Sequence, residues 1–134
     1  MSGTSAEPVT SRKRILIVDD NEVILGVLTD FLGEGYVIDP ASDAATALQR
    51  VKGNRPDLIV LDVNMPGMDG LTLLEAMRKM GLTIPVFVVT GYDAPGTAER
   101  AKRSGATYLV KPVDLRKLDR LIADALHARP LLAD

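Results

Sequence analysis

A short apolar run ends in an acid and two turn signals in the stretch LIVLDVNMPGMDG, residues 58–70. The four aliphatic residues have the length and composition of a strand that is covered on both faces of a parallel sheet. Asp62 closes the run, and Pro66-Gly67 and Asp69-Gly70 mark a loop in which such a strand would pass into a helix. We therefore expect a strand, a loop and a helix here, with one carboxylate at the carboxyl end of the strand.

The same unit recurs along the chain. Strand-like apolar runs occupy residues 15–18, 36–39, 57–61, 85–89 and 107–110. Segments of helical period lie between and after them. The first carries an apolar stripe made of Val23, Ile24, Val27, Leu28, Phe31 and Leu32. Because strand and helix alternate five times, we predict an α/β fold: a doubly wound, five-stranded parallel sheet with helices on both faces.

Two of the helical segments have distinct ends. Residues 93–104 contain Pro95-Gly96 near the start and little apolar surface beyond alanine, so we expect a weakly anchored helix there. The last helix, residues 114–127, begins with an Asp that can cap its first turn.

Length and composition restrict the classes of protein that remain. The 134 residues suit one domain, predicted at 14–128, with a flexible arm at 1–13 and a short tail at 129–134. Cysteine is absent, which excludes disulfides, zinc thiolate sites and cysteine nucleophiles. We predict a cytoplasmic protein, because no apolar run approaches the about 18 residues of a membrane span. The net charge of -2, without a basic stripe, argues against direct nucleic-acid binding.

Polar residues follow four of the five strands: Asp19 and Asp20, Asp62, Thr90 and Lys111. The carboxyl ends of parallel strands meet at one edge of a sheet, where ligands bind. Three carboxylates there would repel one another unless a divalent cation such as Mg2+ joined them. Lys111 and the Thr90 hydroxyl could hold an incoming phosphoryl group. The set predicts a carboxylate nucleophile, a metal site and a phosphoryl clamp.

These motifs resemble the receiver domain of bacterial two-component response regulators. They are IVDD at 17–20, LDVNMPGMDG at 61–70, VVTGY at 88–92 and GATYLVKP at 105–112. The resemblance covers residues 14 to 127. It implies a flavodoxin-like three-layer sandwich with strand order 2-1-3-4-5.

The resemblance also implies a role for each acid. Asp62 would accept a phosphoryl group from a phosphohistidine on a histidine kinase or a histidine phosphotransfer protein. Asp20, Asp62 and the backbone carbonyl of Asn64 would bind Mg2+ directly, or Mn2+ in its place, and Asp19 would help through water.

Further implied roles concern the signal. Lys111 would pair with a phosphoryl oxygen, and Thr90 would turn toward another oxygen. The peptide bond between Lys111 and Pro112 would be cis. Tyr108 would then swing inward and repack the face made by the fourth helix, the fifth strand and the last helix. That face would contact a downstream protein, or a second copy in a phosphorylation-dependent dimer.

Other functions stay open at this point. A flavin or dinucleotide module would need a glycine-rich turn after the first strand, where two acids stand. A Mg2+-dependent phosphohydrolase would commonly place a second acid at the position of Asn64. A pseudo-receiver would lack one or more of the five key groups, and this sequence keeps all of them. We therefore expect a signalling domain and not an enzyme.

Two further features are undecided. Tyr92 could simply pack, or it could cover the acceptor and slow hydrolysis. Only seven residues follow His127, the one histidine, so the donor histidine is expected elsewhere. The chain could be a stand-alone receiver, or one excised from a larger DNA-binding regulator or hybrid histidine kinase.

Overall fold

Five parallel strands form one sheet in a computed structural model of the chain, which describes residues 12–65, 69–91 and 95–132. The strands are β1 (Arg14–Val18), β2 (Val37–Ala41), β3 (Leu58–Asp62), β4 (Val86–Thr90) and β5 (Thr107–Val110). They lie in the order β2-β1-β3-β4-β5, and all neighbouring pairs are parallel. The predicted fold class and strand order are confirmed.

Helices cover both faces of the sheet. They are α1 (Glu22–Leu32), α2 (Ala44–Gly53), α3 (Gly70–Lys79), α4 (Thr97–Arg103) and α5 (Leu115–Leu126). Side chains alternate across each strand, so Leu58 and Val60 join the core under α1 and α5. Ile59 and Leu61 join the second core, under α2, α3 and α4. Two cores on one sheet make the three-layer sandwich.

Two strands end one residue later than predicted. Asp62 pairs with Val89 as the last residue of β3, and Thr90 pairs with Val110 as the last residue of β4. The ladder continues through both polar residues because extended backbone and strand pairing do not require an apolar side chain. The two functional candidates are therefore held by the sheet itself and not by the loops that follow it.

Most helices begin at a polar cap. The side chains of Asn21, Asp43, Asp69 and Asp114 accept backbone N–H groups at the starts of α1, α2, α3 and α5. Such caps satisfy donors that have no partner inside the helix. Asp69 and Asn21 thus fix where the chain leaves the carboxyl edge of β3 and β1, next to the candidate acids.

The fourth helix is shorter than predicted. It spans Thr97–Arg103, and Ala101 is its only buried residue. Gly96 has a φ of 84°, in the left-handed region, so the helix cannot extend back through it. The predicted start at residues 93–94 lies outside the described residues.

The apolar stripe on α1 is less buried than the sequence suggests. Of its six members only Leu32 is buried, while Val23 is 76% exposed and Val27 is 51% exposed. The first part of the stripe lines an open cavity of about 500 Å3. Only its later members, Leu28, Phe31 and Leu32, pack in or against the core under α1 and α5.

The segment after α5 turns back onto the domain. His127 ends the helix with a φ of 54°, and the N–H groups of Leu131 and Leu132 donate to the buried carboxylate of Asp119 at 2.7 and 2.8 Å. Within the part of the chain that the structure covers, no helix is long and apolar enough to cross a bilayer. Predictions on residues 1–11, Pro66-Gly67, Tyr92 and residues 133–134 lie outside that part.

Candidate functional site

Three carboxylates meet at the carboxyl edge of the sheet. Asp62 ends β3 and Asp19 directly follows β1, and each is only 4% exposed. Asp20 is exposed beside them. Each of the three offers one carboxylate oxygen, and these atoms lie within 4.8 Å of one another. The structure brings together the acids that the sequence placed after separate strands.

Close backbone packing fixes the position of Asp62. A Cβ on Gly70 would lie 2.6 Å from the Asp62 carbonyl oxygen and 2.8 Å from the Val63 Cα, so only glycine fits there. The Asn64 N–H donates to Asp62 Oδ1 at 2.9 Å and orients the carboxylate. Asp69-Gly70 therefore does more than end a loop, because it lets α3 begin against the candidate acceptor.

Lys111 supplies the positive charge of the site. Its Nζ lies 3.4 Å from Asp62 Oδ2 and 3.5 Å from Asp19 Oδ2. The backbone N–H of Lys111 donates to the Thr90 carbonyl oxygen at 2.7 Å, and this bond joins the ends of β4 and β5. The Lys111–Pro112 peptide bond, for which the resemblance implies the cis isomer, is cis. Among the described residues of this site, one ammonium pairs with two of the three carboxylates, so negative charge is in excess.

Burial raises the pKa of Asp19 above its ordinary value, and the charge of Asp62 acts in the same direction. The N–H of Asn21 and the ammonium of Lys111 oppose this shift. The folded protein therefore holds a proton on Asp19 more tightly than the unfolded chain does. The resulting stabilisation is present below the unfolded pKa and is lost as pH rises through the folded pKa. Once ionised, Asp19 opposes folding, a cost that a bound cation would offset.

The donor set suits a hard divalent cation. Carboxylate oxygens, two of them on buried residues, are the ligands that Mg2+ and Mn2+ prefer, and Mg2+ commonly uses few carboxylates together with phosphate oxygens. The excess negative charge favours a cation at this position. The residues present therefore fit the metal that the sequence suggested.

The side chain of Asn64 makes a contact that the sequence did not reveal. Thr90, fully buried, donates its hydroxyl to Asn64 Oδ1 at 2.6 Å, and the Gly91 N–H donates to the same oxygen at 3.2 Å. The sequence pointed only to the backbone carbonyl of Asn64. Nothing in the spacing of 62, 64 and 90 along the chain showed that the side chain would reach β4.

Tyr108 lies on the same side of the sheet as Thr90. It pairs with Val88 in the ladder, and residues two apart on a strand share a face. Its half-buried side chain packs against the core under α2, α3 and α4. A change at Thr90 therefore has a short path to Tyr108 along one face.

The match to known proteins covers almost the whole folded region. The sequence fits the family model "Response regulator receiver domain" over residues 15–123, and the chain belongs to this family. Its structure is similar to the crystal structure of a CheY-like response regulator receiver domain protein from Methanospirillum hungatei. The TM-score is 0.83 and the identity 34%, over 87% of this chain and 95% of that one.

Two curated relatives are much longer. The chain is 36% identical to the regulatory protein AtoC of Escherichia coli over 92% of its own length, but this covers 27% of AtoC. It is 40% identical to the sensor histidine kinase RcsC of Salmonella typhi over 81% of its length, which covers 12% of RcsC. Receiver domains similar to this one thus occur within both a regulator and a kinase.

Proposed function

We propose that Asp62 is the phosphoryl acceptor of this receiver domain. The donor is a phosphohistidine on a partner histidine kinase or histidine phosphotransfer protein. The observation that carries this proposal is a buried carboxylate at the end of β3, with the Lys111 ammonium 3.4 Å away and two further acids beside it. A nucleophile, a positive clamp and metal ligands are the parts that phosphoryl transfer to a carboxylate needs.

The transfer replaces one bond to phosphorus by another. An Asp62 oxygen bonds to phosphorus while the donor P–N bond breaks, and the imidazole leaves with the bonding electrons, neutral when its other nitrogen carries a proton. Lys111 stabilises the added charge by pairing with a phosphoryl oxygen, and the Thr90 hydroxyl donates to a second oxygen. The Asn64 N–H holds the carboxylate in place through Oδ1.

Asp20, Asp62 and the Asn64 carbonyl would hold Mg2+, or Mn2+, and Asp19 would act through a bound water. The ion supplies charge neutralisation between the carboxylates and the phosphoryl oxygens.

The donor protein docks on α1 in this proposal. Val23, Ile24 and Val27 line the cavity of about 500 Å3, and Asp62 and Lys111 line it too. Val23 and Val27 are exposed apolar side chains beside the group that must be reached. A protein that delivers a phosphoryl group to Asp62 has to cover this opening, and an apolar rim favours such contact.

A charged side chain placed beside the cavity on α1 should slow phosphoryl transfer from a protein donor but not from a small-molecule donor. The donor is the purified kinase, chosen from a panel, that phosphorylates the parent protein fastest. With this kinase, Val27→Glu is expected to slow phosphoryl transfer about tenfold, because the new carboxylate would be buried in the contact between the two proteins. Labelling by phosphoramidate should be unchanged. Met80→Glu, at an exposed apolar site at the end of α3, is the control. Equal transfer rates for the parent and Val27→Glu would remove α1 from the docking surface.

The output is proposed on the face made by α4, β5 and α5. Val110 on β5 is 44% exposed there, and α4 buries only Ala101 and is otherwise tied to α3 by the Arg100–Glu75 ion pair. Movement of Thr90 toward the phosphoryl group would free space into which Tyr108 turns, and the repacked face would bind a downstream protein or a second copy. Light scattering with and without beryllofluoride measures whether a dimer forms. The predicted cytoplasmic location and non-enzymatic role suit such a switch, in a stand-alone receiver or in a longer regulator or kinase.

The acceptor chemistry is tested without a partner. Incubation with phosphoramidate and Mg2+ should add about 80 Da, the mass of one phosphoryl group, to the protein. Peptide mapping should place it between residues 57 and 79, and EDTA should suppress it, because the excess negative charge of the site then repels the donor. Failure to label, or labelling that EDTA does not affect, would contradict the proposal.

A further inference from the structure

The Asn64 side chain accepts a hydrogen bond from the Thr90 hydroxyl, which is the donor that phosphoryl binding requires. Its Oδ1 must be the atom facing β4, because the Gly91 N–H can only donate and lies 3.2 Å from it. The Thr90 oxygen lies 2.6 Å from the same atom, so its hydroxyl donates there as well. A hydroxyl has one proton. Thr90 therefore cannot donate to Asn64 and to a phosphoryl oxygen at the same time.

We infer that the Asn64 side chain is a lock that holds Thr90 and the start of the β4–α4 connection in the resting arrangement. This inference rests on the proposed acceptor function of Asp62 and adds a positioning residue to it. The phosphoryl group competes with Asn64 for the same hydroxyl. It wins because hydrogen bonds to a charged oxygen are roughly twice as strong as those to a neutral amide.

The lock is attached to the residue that is modified. The Asn64 N–H donates to Asp62 Oδ1 at 2.9 Å, so the loop that carries the amide is fixed by the acceptor carboxylate. A phosphoryl group on Asp62 changes this anchor and offers Thr90 a better acceptor in one event. Asn64 is exposed, so its amide can turn to water once Thr90 leaves.

Removing the lock should make the resting protein bind a phosphoryl mimic more tightly. With Mg2+ saturating, the dissociation constant of beryllofluoride in Asn64→Ala is expected to fall roughly two- to tenfold, the equivalent of one neutral hydrogen bond. Isothermal titration calorimetry measures it on the full chain. Asn54→Ala, at an exposed asparagine at the end of α2, is the control and should behave as the parent.

Thr90 decides whether the effect comes from the lock. In a Thr90→Val background there is no hydroxyl to hold, so adding Asn64→Ala should leave the dissociation constant unchanged. A purely structural role of Asn64 would instead produce the same shift in both backgrounds and would overturn the inference. Weaker or unchanged binding in the single variant would overturn it too. Thermal unfolding confirms that all variants fold.

The same titration separates the two levels of the proposal. A parent that binds beryllofluoride, with Asn64→Ala acting equally in both Thr90 backgrounds, contradicts only the lock. A parent that does not bind beryllofluoride contradicts the acceptor function and the lock together, because no phosphoryl oxygen then competes for Thr90.

Discussion

Replacing Asp62 by asparagine should abolish labelling by phosphoramidate in the presence of Mg2+. The variant keeps the size of the side chain and an oxygen that can accept the Asn64 N–H. It removes the anionic nucleophile, because an amide oxygen does not form a stable bond to phosphorus under these conditions. Intact-protein mass spectrometry should find the about 80 Da adduct in the parent and none in the variant.

A distant acid provides the matched control for Asp62. Asp124→Asn makes the same change of charge and shape at an exposed position on α5, and its labelling should equal that of the parent. An adduct that persists in Asp62→Asn would place the acceptor elsewhere. Loss of the adduct in both variants would show that net charge, and not the nucleophile, controls the reaction.

The sheet and its polar edge could be predicted because they follow from strong, local signals. The aliphatic run LIVL in β3 suits a strand covered on both faces, and parallel strands place their carboxyl ends at one edge of the sheet. Asp19, Asp62 and Lys111 could therefore be grouped without knowing any contact between them. Their observed separations follow from the register of β1, β3, β4 and β5.

The contacts that could not be predicted from the sequence involve side chains whose surroundings depend on distant parts of the chain. An exposed Asn64 in a loop gives no periodic signal, and its bond to Thr90 depends on the position of β4. The stripe on α1 predicts an apolar face, but periodicity does not show whether a core or an open cavity lies opposite. Val23 and Val27 proved exposed for that reason.

Asp119→Ala is expected to lower the free energy of unfolding by about 2–3 kcal/mol, since hydrogen bonds to charged acceptors are each worth roughly 1.5–3 kcal/mol and do not add fully. Asp119 is 1% exposed on α5. Its two oxygens accept the N–H groups of Leu131 and Leu132. Without these carboxylate oxygens, the two backbone N–H groups lose their acceptor, or the segment after α5 detaches and Leu131 leaves the core under α1 and α5. Urea unfolding followed by circular dichroism measures the change in midpoint.

The conservative and truncated variants identify the cause of that loss. Asp119→Asn retains one acceptor oxygen and should fall between the parent and the alanine variant. In a chain that ends at Pro130 the two N–H groups are absent, so Asp119→Ala should cost little there, because the carboxylate then has no role in holding the segment. An equal loss in the full and shortened chains would show that Asp119 stabilises α5 in another way. A dependence on residues 131–132 would make the segment after α5 a structural part of the receiver domain, although the apolar pattern of α5 gave no sign of its buried acid.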